Sequence, residues 1–348
     1  SITKNKQTNN SLSLITKTVF DCKISEENIT ELGDGYCNAI YKINFTTPIK
    51  IHNLEITSAI IKIAPSPSVE MMTYEKDLLK TEVETLQLLS TVHISEPNFK
   101  IPQVLYYDTS CTICNAPYFF MTQIPGNTLS TMPRQSIDLQ NKFASTLGSY
   151  LKTINSFSCD HFGIMNCPST FCKTHQDFIN KIFRMVLDDG IKKNCDLKAI
   201  SYEEMWNLLT ENSTLFSDVK KPSLVHWDLW EGNVFIKDNE VSGIIDFERA
   251  LWGDPLMEQE FSNFLPPRPA FLESYGKTTF TEKEKVKCQF YKIYRELVMI
   301  VECSYRHYET EAQYNWVTSE LKKDISKLQE MIYNYRTIVI NEQKKISQ

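Results

Sequence analysis

The feature that most constrains this chain is a change of hydrophobic period after its first third. Residues 28–32, 39–45 and 57–63 are short runs rich in β-formers. In 70–91, Leu78, Leu79, Val83, Leu86, Leu89 and, just beyond, Val92 recur at helical spacing. Two more strand-like runs follow at 104–108 and 118–123, and Pro125-Gly126 then breaks the chain. Beyond the break the period is helical over 136–155, 175–187, 202–212, 282–308 and 313–339. One interruption carries strand signals at 234–237 and 241–245, with Asp238-Asn239-Glu240 as the turn. Three strands, a helix, two strands and then mostly helices predict an α+β fold. Its small β-rich lobe spans 1–124, its larger, mainly helical lobe spans 125–348, and a hinge lies near 123–126.

Size and charge narrow the partners. The 348 residues suffice for a bilobal core. A net charge of −6 argues against nucleic acid, whose binders carry a basic face. The ten cysteines are irregularly spaced, which reads as reduced thiols. Cys111-Thr-Ile-Cys114 has no second pair at zinc-ligand spacing and reads as a hairpin turn. No apolar run approaches membrane-spanning length, and residues 1–10 are polar and read as frayed. The expectation is a cytoplasmic monomer without membrane or nucleic-acid partners.

Chemistry concentrates in His226-Trp-Asp228-Leu-Trp-Glu-Gly-Asn233, followed across the predicted hairpin by Ile245-Asp246-Phe247-Glu248. Phosphoryl transfer asks little covalent chemistry of a protein; it needs an oriented acceptor and neutralised phosphate charge. In this spacing Asp228 can accept the acceptor's proton, while Asn233 and Asp246 can hold Mg²⁺, a hard cation that favours oxygen ligands. In the β-rich part, the turn Gly33-Asp-Gly35-Tyr-Cys-Asn38 could fold over phosphates, with Asn38 tolerating left-handed backbone. Lys62 ends the apolar run Ala59-Ile-Ile-Lys62 and needs a buried partner. Glu82, beside the apolar stripe of the following helix, is the favoured one, with Glu75 second.

Together these motifs resemble the aminoglycoside phosphotransferase and choline kinase-like group, distant relatives of protein kinases, over roughly residues 25–310. The resemblance implies a protein-kinase-like bilobal fold, ATP or GTP as phosphate donor, and Mg²⁺. It implies that Tyr118-Phe-Phe-Met-Thr-Gln-Ile-Pro-Gly126 is the last small-lobe strand and hinge. Backbone at Met121, Thr122 and Gln123 would then meet the purine, while Gly33, Gly35, Lys62 and Glu82 serve the phosphates. The short gap from Asp246 to Asp254 and the lack of an A-P-E sequence argue for a small-molecule acceptor over a protein. The chain departs from the pattern at Trp227, where many members carry Gly, at Trp230, where His is common, and at Glu258, where Asp is common. Asp228-Leu-Trp230 is similar to fructosamine kinases. Trp230, Glu231 and Glu258 are expected at the acceptor, the last opening a helix with Glu260, and suit a cationic hydroxylated amine such as an aminoglycoside antibiotic. A metabolic kinase for choline, ethanolamine or a fructosamine is the alternative. A non-catalytic pseudokinase is disfavoured because Lys62, Asp228, Asn233 and Asp246 are all present.

Overall fold

The computed structural model describes residues 3–33, 37–263 and 267–347, which form two compact units. The first comprises Ser1–Met71, Asp77–Arg134 and Glu231–Ala250; the second comprises Met72–Lys76, Gln135–Trp230 and Leu251–Gln348.

The first unit is built on an antiparallel sheet of β1 (Ile29–Leu32), β2 (Ala39–Ile51), β3 (Leu54–Ile63), β4 (Val104–Asp108) and β5 (Tyr118–Met121), in the order β1-β2-β3-β5-β4. β2 and β3 run longer than their apolar cores suggest, because His52 and Asn53 both adopt left-handed backbone and close a tight hairpin. Period-two alternation decides where Lys62 points. Ile61 and Ile63 face a cluster with Tyr41, Ile43, Tyr118 and Phe120. Lys62 takes the opposite face with Ile60. The cluster also contains Leu12 and Ile15 of α1 (Asn9–Phe20), a helix the polar N-terminus conceals. Thr8 caps it by accepting the Ser11 N–H. α2 runs over Leu78–Leu89, later than the predicted 70–91, because the preceding residues lack a helical ladder and Asp77 holds left-handed backbone. A second sheet orders β6 (Asn127–Thr128), β9 (Val234–Lys237) and β10 (Glu240–Ile244) as β10-β9-β6. Gly126 (φ +100°) admits no side chain there: a Cβ would lie 2.1 Å from the Ile236 carbonyl oxygen.

The second unit is mainly helical: α3 (Ile137–Ser156), α4 (His175–Lys192), α5 (Tyr202–Thr210), α6 (Pro269–Tyr275), α7 (Glu282–Arg306) and α8 (Ala312–Ile346). α3 meets α6 closely at Gly148, and α4 and α8 pack on α7. A small sheet places β11 (Leu251–Gly253) between β7 (Gly163–Ile164) and β8 (Ser223–Val225). Gly253-Asp254-Pro255 does not lead into the expected helix. Two short 3₁₀ turns follow, Pro255–Met257 and Gln259–Phe261, with Asp254 accepting the Leu256 N–H. The class expected from the sequence, a protein-kinase-like α+β fold with a β-rich part and a larger helical part, holds.

Candidate functional site

Lys62, the last residue but one of β3, has its ammonium 2.8 Å from both carboxylate oxygens of Glu82 on α2 and 3.1 Å from Asp246 Oδ1. Lys62 and Glu82 are sealed from solvent, with side chains 2% and 0% exposed. Burial works against the charge on Lys62. Asp246, Glu82 and Glu248 together outweigh it and hold the ammonium protonated well above the ordinary lysine range. Glu75, the second candidate for this pairing, is instead the buried partner of Arg306 within the helical unit.

The hairpin of β9 and β10 positions the other acidic groups. The Ile245 N–H donates to the Asn233 carbonyl at 3.0 Å, so the backbones on either side of the hairpin are joined where Asn233 and Asp246 stand. Asp246 has left-handed backbone (φ +71°), which Asp tolerates better than most residues. Carboxylate oxygens of Glu82, Asp246 and Glu248 lie within 4.8 Å of one another. Glu248 is buried and accepts from Asn38 Nδ2 at 2.5 Å. Burial, and then the neighbouring Asp246, push its pKa to about 8. One ammonium cannot balance all three acidic groups in ionised form, which holds the Glu248 pKa high, and their hard oxygens fit Mg²⁺. Glu248 is the group to which sequence reasoning gave no role. Its signal was its place two residues after Asp246.

Gly33 sits at the end of β1, its carbonyl accepting from Lys4 Nζ at 2.7 Å, while Gly35 lies outside the described residues. Met121 closes β5. Thr122 binds the backbone of Gln103 twice, through its own N–H (2.9 Å) and through its hydroxyl (2.8 Å). Gln123 is exposed, and its amide oxygen accepts from the Ser58 hydroxyl at 2.9 Å.

Asp228 belongs to the second unit, in the loop after β8, and is partly exposed. The loop is held from beneath. His226 is fully buried, and its Nδ1 accepts the Asp228 N–H at 3.3 Å. Trp227 is buried with φ +72°, a conformation costing a non-glycine residue about 1–2 kcal/mol. Glu258 accepts the N–H groups of His226 (2.9 Å) and Trp227 (3.1 Å) together with Asn155 Nδ2 (2.9 Å). Burial lifts its pKa to about 7 despite these donors. Glu258 was expected at the acceptor. With no solvent exposure and its oxygens committed to the loop backbone, it positions the loop instead. Trp230 is 40% exposed and Glu231 is exposed, as a contact to an acceptor requires.

The fold is that of the kinases. Residues 29–275 match the family model described as the phosphotransferase enzyme family, and the chain belongs to that family. It is a phosphotransferase acting on hydroxyl groups. Among solved structures it is similar to a putative fructosamine-3-kinase from Haemophilus somnus 129PT, with TM-score 0.63, 16% identity and coverage of 92% of this chain and 97% of that one. It is also similar to a putative aminoglycoside phosphotransferase from Ralstonia eutropha, with TM-score 0.63, 10% identity and coverage of 94% and 99%. The streptomycin–ATP–APH(2")-IIa ternary complex matches with TM-score 0.56, 16% identity and coverage of 93% and 97%. No curated protein sequence matches the chain. Among the described residues no helix is long and apolar enough to cross a membrane.

Proposed function

We propose that this phosphotransferase is a small-molecule kinase that moves the γ-phosphate of ATP or GTP to a hydroxyl of an aminoglycoside-like or other hydroxylated amine. The observation that carries this is the closed group of Lys62, Glu82, Asp246 and Glu248, one buried ammonium facing three carboxylates. Lys62 fixes the phosphates, and Glu82 fixes Lys62. Asp246 and Asn233 would hold Mg²⁺, with Glu248 as a further oxygen ligand, and the metal would neutralise charge developing on the transferred phosphoryl group. Gly33 approaches the phosphates, and backbone at Met121–Gln123 approaches the base. Asp228 takes the proton from the acceptor hydroxyl as it attacks. The oxygen–γ-phosphorus bond forms as the bond to the leaving nucleoside diphosphate breaks.

An exposed indole at Trp230 and an exposed carboxylate at Glu231 suit an ammonium-bearing acceptor through cation–π and charge-assisted contacts. A fructosamine, choline or ethanolamine offers similar chemistry, and the likeness to a fructosamine kinase structure favours the first of these as a second reading. The test is nucleotide consumption against aminoglycosides, macrolides, choline, ethanolamine and glycated amines, followed by acceptor KM for Glu231→Gln at rising salt. A cationic acceptor predicts a higher KM with weaker salt dependence in the variant. Turnover confined to uncharged acceptors would refute this acceptor class.

A further inference from the structure

A left-handed tryptophan immediately before the proposed base needs something to hold it there, since such conformations persist only where surrounding contacts over-determine them. Glu258 accepts the Trp227 N–H. On the other side stands Arg295 of α7, itself buried. Its Nη2 donates to the carbonyls of Met257 (3.2 Å) and Trp227 (3.5 Å), and its Nη1 to the carbonyl (3.3 Å) and hydroxyl (3.0 Å) of Ser262. The guanidinium lies over the Trp227 indole, 5.4 Å from its centroid, and Tyr294 meets the same ring edge-on at 6.0 Å. A buried cation is thus clamped between the 3₁₀ turns after β11 and the backbone carbonyl that precedes Asp228.

We propose that Arg295 is the positioning residue for Asp228: wedged against Trp227 and bonded to its carbonyl, it fixes the loop conformation that aims the carboxylate and places a permanent positive charge behind it. The inference rests on the assignment of Asp228 as base. Burial lowers the Arg295 pKa to about 10, and Asp228 first and then Glu258 oppose the fall, so the cation persists at neutral pH. The groups facing this region from the packed elements are Asp228 and His226 in the loop, Glu258 after β11, and Glu296 beside Arg295 on α7. Glu296 is buried, and burial followed by its contact with Asp324 raises its pKa to about 10. It carries a proton at neutral pH, which leaves the guanidinium charge directed at Asp228 and Glu258. Arg is suited to the task because its planar fork reaches several carbonyls while stacking on an aromatic ring; Lys supplies only the charge.

The test titrates the Asp228 carboxyl carbon by NMR in the full chain, assigned by its disappearance in Asp228→Asn, so no acceptor need be known. In Arg295→Gln the Asp228 titration is expected to move up by about one unit, the effect of removing a nearby cation. In Arg295→Lys it should stay close to wild type, while turnover with the best acceptor of the panel falls about tenfold or more and nucleotide KM is unchanged. If Arg295→Gln does not fold, the lysine variant alone decides, and wild-type turnover there overturns the proposal. An Asp228 titration unmoved in a folded Arg295→Gln also overturns it. If Asp228→Asn itself turns over like wild type, the base assignment has failed; if Asp228→Asn is inactive and the Arg295 variants match wild type, only the role of Arg295 has.

Discussion

Lys62→Met and Glu82→Gln remove the two halves of one buried ion pair, yet the structure predicts very different costs. In Glu82→Gln the ammonium keeps Asp246 at 3.1 Å and Glu248 nearby, so no uncompensated charge remains, and the loss should be about 1–2 kcal/mol. In Lys62→Met, Glu82, Asp246 and Glu248 crowd within 4.8 Å with no cation, the situation in which breaking a buried pair costs about 3–5 kcal/mol. The pH dependence separates the two cases. Glu248 keeps its proton to about pH 8 in the folded protein, against 4.5 for an ordinary glutamate. The native state therefore binds more protons than the unfolded chain in this window, and stability falls as pH rises through it. Removing Lys62 steepens that fall, because the carboxylates must then ionise against one another. Urea unfolding from pH 5 to 8 should show the cost of Lys62→Met growing from about 1 kcal/mol to the full value, with Glu82→Gln nearly flat. Equal costs for the two variants, or a pH-independent cost for Lys62→Met, would refute the charge argument.

Asp246→Ala should abolish transfer and weaken Mg²⁺-nucleotide far more than free nucleotide; equal losses in titrations with and without Mg²⁺ would remove it from the metal site. Glu258→Gln places an amide against loop N–H donors and should cost about 2–3 kcal/mol of stability and on the order of 10² in kcat with nucleotide KM unchanged, read by thermal unfolding and steady-state kinetics. His175 is bonded to Tyr291, whose hydroxyl donates to Asp254, so its Nε2 must carry the hydrogen while Nδ1 has no partner among the described residues. Burial holds its pKa near 4 against 6.5, so the unfolded chain takes up the proton first and stability is lost as pH falls from about 6.5 to 4; His175→Gln should flatten that limb of the unfolding curve.

Much of the architecture was legible because it is local. The strands around Ile43, Ile61 and Phe120 alternate, α7 carries Phe290, Tyr294, Leu297 and Ile300 at helical spacing, and the hairpin turn has its Asp238-Asn239 pair, both left-handed. α1 was missed because a polar start masks the spacing of Leu12 and Ile15. What escaped the sequence depends on distant partners. Glu258 looks like a helix-opening acid until His226 and Trp227, about thirty residues earlier, fold onto it. Spacing gives Arg295 no signal, because α7 buries it with Gln289, Lys292, Glu296 and Arg306 where α8, the 3₁₀ turns and Glu75 cover the polar side of the helix. Asp246 and Glu248 could be placed near each other by spacing alone; their convergence on Lys62 and Glu82 required the fold.

The most direct test follows the phosphoryl group itself. Purified protein is incubated with γ-labelled ATP or GTP, Mg²⁺ and each acceptor of the panel, and labelled products are separated for wild type and for Asp228→Asn. The account predicts a phosphate monoester on an acceptor hydroxyl, dependent on Mg²⁺, and formed about 10²–10⁴ times more slowly by Asp228→Asn although that variant binds nucleotide normally. Label appearing on the acceptor at the wild-type rate in Asp228→Asn, or without any divalent metal, would contradict it.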